Sequence, residues 1–351
     1  MGIQYDILAS TLRILRDREV DNTFRTIPLL EAVQRAGNVE QVDGGQKVDH
    51  PVILAEHSNI TQLATGYESV NLAVKDALRT ASFDWCDFVA PVVITEKEQL
   101  SNKGPRAIIR IAEARLKSVM GMLKREWCKQ TVAGTSTILT DLNTLNGEGT
   151  SNAGSWGGIV AADTTGFFEN ETFGNQTNTI GGIAKGSFTS SWQNQVATSG
   201  AFGTSGNGLK AMSNLIINTQ IYAPEGEVDI ILASPTSYEL YRNELTDQER
   251  YTSAEQMKDL VGRMALMYNG AMMYIDPNLG FTIAAGGGVK VSMYFLNSKL
   301  FTVYFDKDAY FEMGDMERIS GYAAASSNIM VRTQLATSHL AGHGVLLNAE
   351  A

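Results

Sequence analysis

The chain has 351 residues, 44% of them hydrophobic and 19% charged, with a net charge of −10. That length exceeds what one core usually fills, so two compact regions with extended appendages are expected, and the scarcity of charge points to large buried contact surfaces. The negative balance argues against a protein that wraps nucleic acid by neutralising phosphates, two cysteines (Cys86 and Cys128) allow neither a disulfide framework nor a thiolate zinc site, and no apolar run approaches the ~20 residues that span a bilayer. The opening Met1-Gly2-Ile3-Gln4-Tyr5-Asp6 has no signal-peptide pattern and lacks the Ser or Thr at position 6 that myristoylation needs, which fits cytosolic assembly.

Residues 1–43 carry two short helical patterns, Ile7, Leu8, Leu12 and Leu15, then Leu29, Leu30 and Val33 after Pro28. Neither is long enough to hold itself together. Read from the residues alone, they form an N-terminal helical hairpin packed on its own domain. From Gly44-Gly45 to residue 103 the chain reads as an extended ribbon, with Pro51-Val52-Ile53-Leu54 in one run and Phe83, Trp85, Phe88, Val89, Val92, Val93 and Ile94 in the second. A two-stranded ribbon is marginal in water, so a neighbouring element or subunit is expected to bury it.

The clearest helix spans residues 105–130, opened by Pro105 and periodic in Ile108, Ala112, Leu116, Val119, Leu123 and Trp127. Residues 103–129 hold eight Lys and Arg against Glu113 and Glu126, a basic helix in an acidic protein. Residues 134–208 shift to Gly, Ser, Thr and Asn, the composition of loops and short strands. Beyond them helix and strand alternate: a helix through Met212, Leu215 and Ile216, the strand Asp229–Ala233, a helix with Tyr238, Leu240 and Tyr241, and the strand Gly270–Ile275 stopped at Asp276-Pro277. Met293–Asn297 and Leu300–Phe305 flank Ser298-Lys299 as a predicted hairpin, and Ile329–Leu347 reads as a long extended run.

No catalytic, cofactor-binding or metal residue is assigned. Gly203–Lys210 lacks the Gly-Lys-Ser/Thr ending of a phosphate loop, and Gly286-Gly287-Gly288 lacks dinucleotide-cradle spacing. His339 and His343 stand four apart in a segment that reads as extended, too far apart on a strand for one ion, while His50 and His57 have no ligand-spaced partner. Glu96, Glu98, Asp306, Asp308 and Glu312 read as charged turns and strand edges rather than paired acid–base groups, and no Gly-x-Ser-x-Gly elbow is present. The basic helix is read first as pairing with acidic side chains of its own or adjacent subunits, and second as a solvated face that tolerates DNA nonspecifically.

Gly44-Gly45 before an extended apolar patch, Gly66-Tyr67-Glu68, Ala81-Ser82-Phe83-Asp84-Trp85, Asn102-Lys103-Gly104, and Gly181-Gly182-Ile183-Ala184-Lys185 followed by Ser191-Trp192 together resemble the major capsid proteins of tailed bacteriophages. The resemblance lies in the succession of elements over nearly the whole chain. It implies an α+β, Hong Kong 97-type capsid fold: an N-terminal arm at 1–43, an extended loop with flanking peripheral-domain strands at 44–103, a spine helix at 104–133, a mainly axial domain at 134–318, and C-terminal strands at 319–351 returning to the peripheral domain. It further implies a non-enzymatic head protein that self-assembles, as pentamers and hexamers, into the icosahedral virion shell around double-stranded DNA in the host bacterial cytoplasm. Portal and scaffolding proteins, and decoration proteins in some heads, would be partners, and a membrane would not. No long charged scaffold region precedes the arm, which implies a separate scaffolding protein or a processed form. The alternative is an encapsulin-like nanocompartment shell.

Overall fold

In the computed structural model, residues 28–55, 59–60, 62, 66, 69, 72–73, 77–97, 105–133, 179–184, 192–198, 202, 207–223, 226–247, 266–280, 290–314, 317–347 and 349 are described. The expectations for 1–27, Gly203–Gly206, Gly286-Gly287-Gly288, His57, Glu98 and the Asn102-Lys103-Gly104 turn lie outside them.

Two sheets organise the molecule. The first contains β1 (Val39–Val42), β4 (Cys86–Thr95), β12 (Phe301–Met313), β13 (Glu317–Arg318) and β14 (Ala324–Thr337), with β14 paired antiparallel to β12 on one side and β4 on the other. Side chains along β4 alternate: Cys86, Val92 and Ile94 are buried while Asp87, Val89 and Val93 are exposed, the signature of a strand with one wet face. Helix α2 (Pro105–Ala133) crosses the inner face, burying Leu123, Trp127, Cys128 and Val132, with Trp127 6.2 Å from Phe305 and the Lys124 ammonium over the Phe311 ring.

The second sheet has the order β7 (Gln195–Thr198), β15 (Gly344–Leu347), β11 (Val291–Leu296), β8 (Ile230–Ala233), β10 (Ala271–Ile275) and β9 (Leu266–Tyr268). Strands β8 and β11 are buried throughout because both faces are covered. Leu232, Tyr294, Leu296 and Val345 join the core shared with the first sheet. Ile231, Ala233, Met293 and Phe295 form a second core with Met212 and Leu215 of α3 (Asn207–Tyr222) and Tyr241 of α4 (Pro235–Asp247).

Two sequence expectations change here. Met293–Asn297 and Leu300–Phe305 do not form a hairpin: β11 belongs to the second sheet and β12 to the first, and the short 3-10 turn Ser298–Leu300 carries the chain between them. Ile329–Leu347 is likewise split, with β14 in the first sheet and β15 in the second, and residues 338–343 crossing back. The 134–318 segment therefore gives β12 to the first sheet, and 319–351 gives β15 to the second.

Of the two readings for the N-terminal segment, its described part, residues 28–43, packs on its own subunit. Helix α1 (Pro28–Ala36) buries Leu29, Ala32 and Val33 in its own subunit's core, and β1 runs parallel to β12. Tertiary packing supplies the stability that a nine-residue helix lacks alone.

The ribbon root is buried, as expected, by neighbouring elements, here those of its own subunit. Strands β2 (Lys47–Ile53) and β3 (Leu78–Asp84) pair with Val48 opposite Phe83 and His50 opposite Ala81, and this face is packed on the body, with Val48, Val52, Leu54, Ala81 and Phe83 buried. A small hairpin, β5 (Thr179–Ile180) and β6 (Ile183–Ala184), leans on β3, where the Ser82 amide donates to the Gly181 carbonyl at 2.9 Å. The indole of the fully buried Trp192 donates to Ile180 at 3.3 Å and ties this hairpin to the body.

Candidate functional site: the exposed faces of ribbon and sheet

Because side chains alternate along β2 and β3, burying one ribbon face leaves the other in solvent. At the root that face is polar: Lys47 pairs with Asp84 at 2.9 Å, next to Asp49 opposite Ser82. Toward the tip it becomes apolar. Pro51 is exposed, and Ile53 and Leu78, direct cross-strand partners, are 75% and 60% exposed. Ile60 and Leu72 beyond them are exposed as well.

The outer face of the first sheet carries a second apolar stripe. Val89 of β4 stands opposite Met330 of β14, 56% and 38% exposed, and Pro91 and Val93 continue the row along β4. Ion pairs frame it: Arg332 reaches Asp87 at 2.9 Å and Asp306 at 3.5 Å, and Arg318 pairs with Glu96. Helix α3 adds Ile217 and Ile221, one turn apart on its solvent side.

The described residues among those singled out for chemistry do not converge. Asp306 is engaged by Arg332 and its carboxylate accepts the Asp308 amide at 3.1 Å, so this pair braces a strand irregularity rather than a reacting group. His339 and His343 lie in a turn rather than on a strand. His343 is fully buried, its Nδ1 accepting the Asn297 amide at 3.3 Å and its Nε2 3.4 Å from the Thr337 hydroxyl. Burial drives its pKa down to about 3, with the His339 charge adding to the effect. Among the described residues, no group of three or more His, Cys, Asp or Glu is placed to hold a metal ion, and no helix is long and apolar enough to cross a membrane.

On α2, Arg115 donates to the Val93 carbonyl at 2.7 Å and Lys124 lies over Phe311, while Lys117 and Lys129 are exposed. None of Lys117, Lys124, Arg125 and Lys129 forms an ion pair with a described residue. Among the described residues, pairing within the subunit does not account for these four charges.

Sequence reasoning missed two buried polar sites. Asp276, which ends β10, is fully buried, and its carboxyl pKa is raised by that burial against two hydrogen bonds from Asn278. The Cys128 thiol lies 4.0 Å away, its own pKa raised by burial and by Asp276. The Asp-Pro step hid this site because it reads equally well as a solvated strand stop. The second is His50, at the ribbon root.

No protein-family model matches the sequence, and no curated protein sequence matches it. Solved structures do match over almost the full chain. The Cyanophage A-1(L) capsid protein superposes with a TM-score of 0.60 at 13% identity, covering 98% of each chain. The capsid of an empty GTA particle computed with C5 symmetry gives 0.53 at 11% identity, covering 99% of this chain and 98% of that one. The SrpI encapsulin of Synechococcus elongatus PCC 7942 gives 0.56 at 12% identity, covering 99% and 95%. The shared property is the fold, which is the Hong Kong 97-type capsid fold.

Proposed function

We propose that this chain is the major capsid protein of a tailed double-stranded-DNA bacteriophage, a structural, non-enzymatic subunit that assembles with copies of itself into an icosahedral shell. The observation that carries this reading is the ribbon. A strand pair anchored by its inner face presents Ile53 and Leu78 to solvent on its outer face, on a body whose fold is that of solved capsids. Burying an Ile or Leu side chain is worth about 1.5–3 kcal/mol, so leaving two unburied at the end of an extended element costs a monomer and rewards a neighbour that covers them. The Val89–Met330 stripe is the matching surface on a second copy, and many such weak contacts closed by rotation make rings of five and six.

In this reading the six-stranded sheet with α3 and α4 is the axial domain, and the five-stranded sheet with α2 is the peripheral domain. The shell is assembled in the host cytoplasm with portal and scaffolding proteins and resides in the virion. An encapsulin-like compartment is the second reading, favoured by the full-length likeness to SrpI; a copurifying cargo protein held by a docking peptide would select it.

Electron microscopy of the protein expressed alone tests the proposal. Closed shells or rings of five and six are expected, and a compact monomer at high concentration would overturn it. Ile53→Asp with Leu78→Asp abolishes assembly while leaving the folded monomer intact, because both side chains are exposed within the subunit.

A further inference from the structure

His50 occupies the joint where the ribbon meets the first sheet. Its ring is wedged edge-on between Phe83 of β3, 6.3 Å away, and Tyr304 of β12, 5.5 Å away. Its Nε2 is buried without a hydrogen-bond partner among the described residues. An unpaired buried ring nitrogen is costly, and more so once it carries a proton. Two carboxylates stand near: Glu40 of β1, directly opposite Tyr304, and Asp49 on the ribbon itself. β3 faces the ring with Ala81 and Phe83. β14 sets Gln334 opposite Tyr304, and its nearest charge, Arg332, is committed to Asp87 and Asp306.

We propose that His50 is a proton-operated catch that fixes the ribbon on the sheet. Neutral, the imidazole fits its aromatic slot and holds the ribbon root down. Protonated, it carries a charged N–H that the slot cannot satisfy, and the root lifts until that N–H reaches water or a carboxylate. Burial is the dominant influence on this imidazole and holds its pKa below the ordinary 6.5 against the pull of Glu40 and Asp49, so the catch is closed at neutral pH and opens in acid. The catch belongs to the single chain. Its consequence, that acid resets the ribbon before it docks on a second copy, rests on the shell reading.

Hydrogen–deuterium exchange on the full-length, unassembled chain, corrected for intrinsic rates, tests the catch independently of assembly. Between pH 7 and 5 the amides of residues 47–54 and 78–84 should open more readily by up to about tenfold per pH unit, relative to those of β12 and β14, because one proton is coupled to the opening. In His50→Gln and His50→Phe the ribbon's response relative to that reference should be flat. An acid response that persists in both variants, or its absence from the natural sequence, overturns the proposal. Failure of the chain to form shells bears on the capsid reading and leaves this result intact.

Discussion

His343 bolts together the two crossings between the sheets, and its replacement should flatten the acid sensitivity of the fold. The turn after β11 offers the Asn297 amide to Nδ1, and the Thr337 hydroxyl at the end of β14 meets Nε2 while also donating to the Leu300 carbonyl at 3.0 Å. The ring edge rests on Phe301, and the Ser338 amide donates to Leu300 at 2.9 Å. Nδ1 accepts, so the neutral ring carries its proton on Nε2. As pH falls below the ordinary 6.5, the unfolded chain takes up a proton that the folded chain refuses until about 3. Stability is thus fully present above 6.5 and is lost downward through that window by about 1.4 kcal/mol per pH unit, or about 2 kcal/mol between pH 6.5 and 5. Urea unfolding of unassembled protein at pH 7 and pH 5 reads this directly. His343→Gln should be weaker at pH 7, by about 1–3 kcal/mol for the disturbed hydrogen bonds, yet lose about 2 kcal/mol less than the natural sequence on going to pH 5. His50 and Asp276 also titrate, but both remain in the variant and cancel in the comparison. An equal loss in the two proteins would refute the reasoning.

Two further outcomes follow from particular contacts. Gly181 has φ +58°, and a Cβ there would lie 2.9 Å from the Ala81 Cβ, so Gly181→Ala should cost about 1–3 kcal/mol and lower the melting temperature; an unchanged melt would mean that the β5–β6 hairpin does not seat on the ribbon. Charge reversal at the exposed Lys117 and Lys129 of α2 should leave the fold intact and weaken retention of DNA in filled particles, and normal packaging in intact shells would remove DNA contact from the role of this helix.

Helix α2 was legible because Pro105 opens it and its apolar period is uninterrupted, and β4 because Phe88, Val89, Val92, Val93 and Ile94 make an extended apolar run. What the pattern could not convey is which sheet a strand joins. β11 and β12 are both apolar and separated by a short turn, the appearance of a hairpin; burial sets the pattern, and both strands are buried, in different layers. A Cβ at Gly342 or Gly344 would collide with Leu300 or Leu215, so these glycines mark close packing where the chain crosses between sheets, which an extended run does not announce. Helix α1 was visible in Leu29 and Val33, but its docking on the core was not, since length alone speaks for a marginal helix. The ribbon shows most clearly what register adds. Val52 and Ile53 are adjacent, β-branched and equally apolar, and nothing in their composition separates them. Pairing with β3 puts Val52 on the packed face at 5% exposure and Ile53 on the wet face at 75%, beside Leu78. A one-residue slip would exchange the two, burying Ile53 and presenting Val52. The apolar tip offered to a neighbouring copy is therefore set by the seven-residue register that also builds the subunit's own core, so a mutation that shifts that register damages folding and assembly together, whereas one confined to Ile53 and Leu78 separates them.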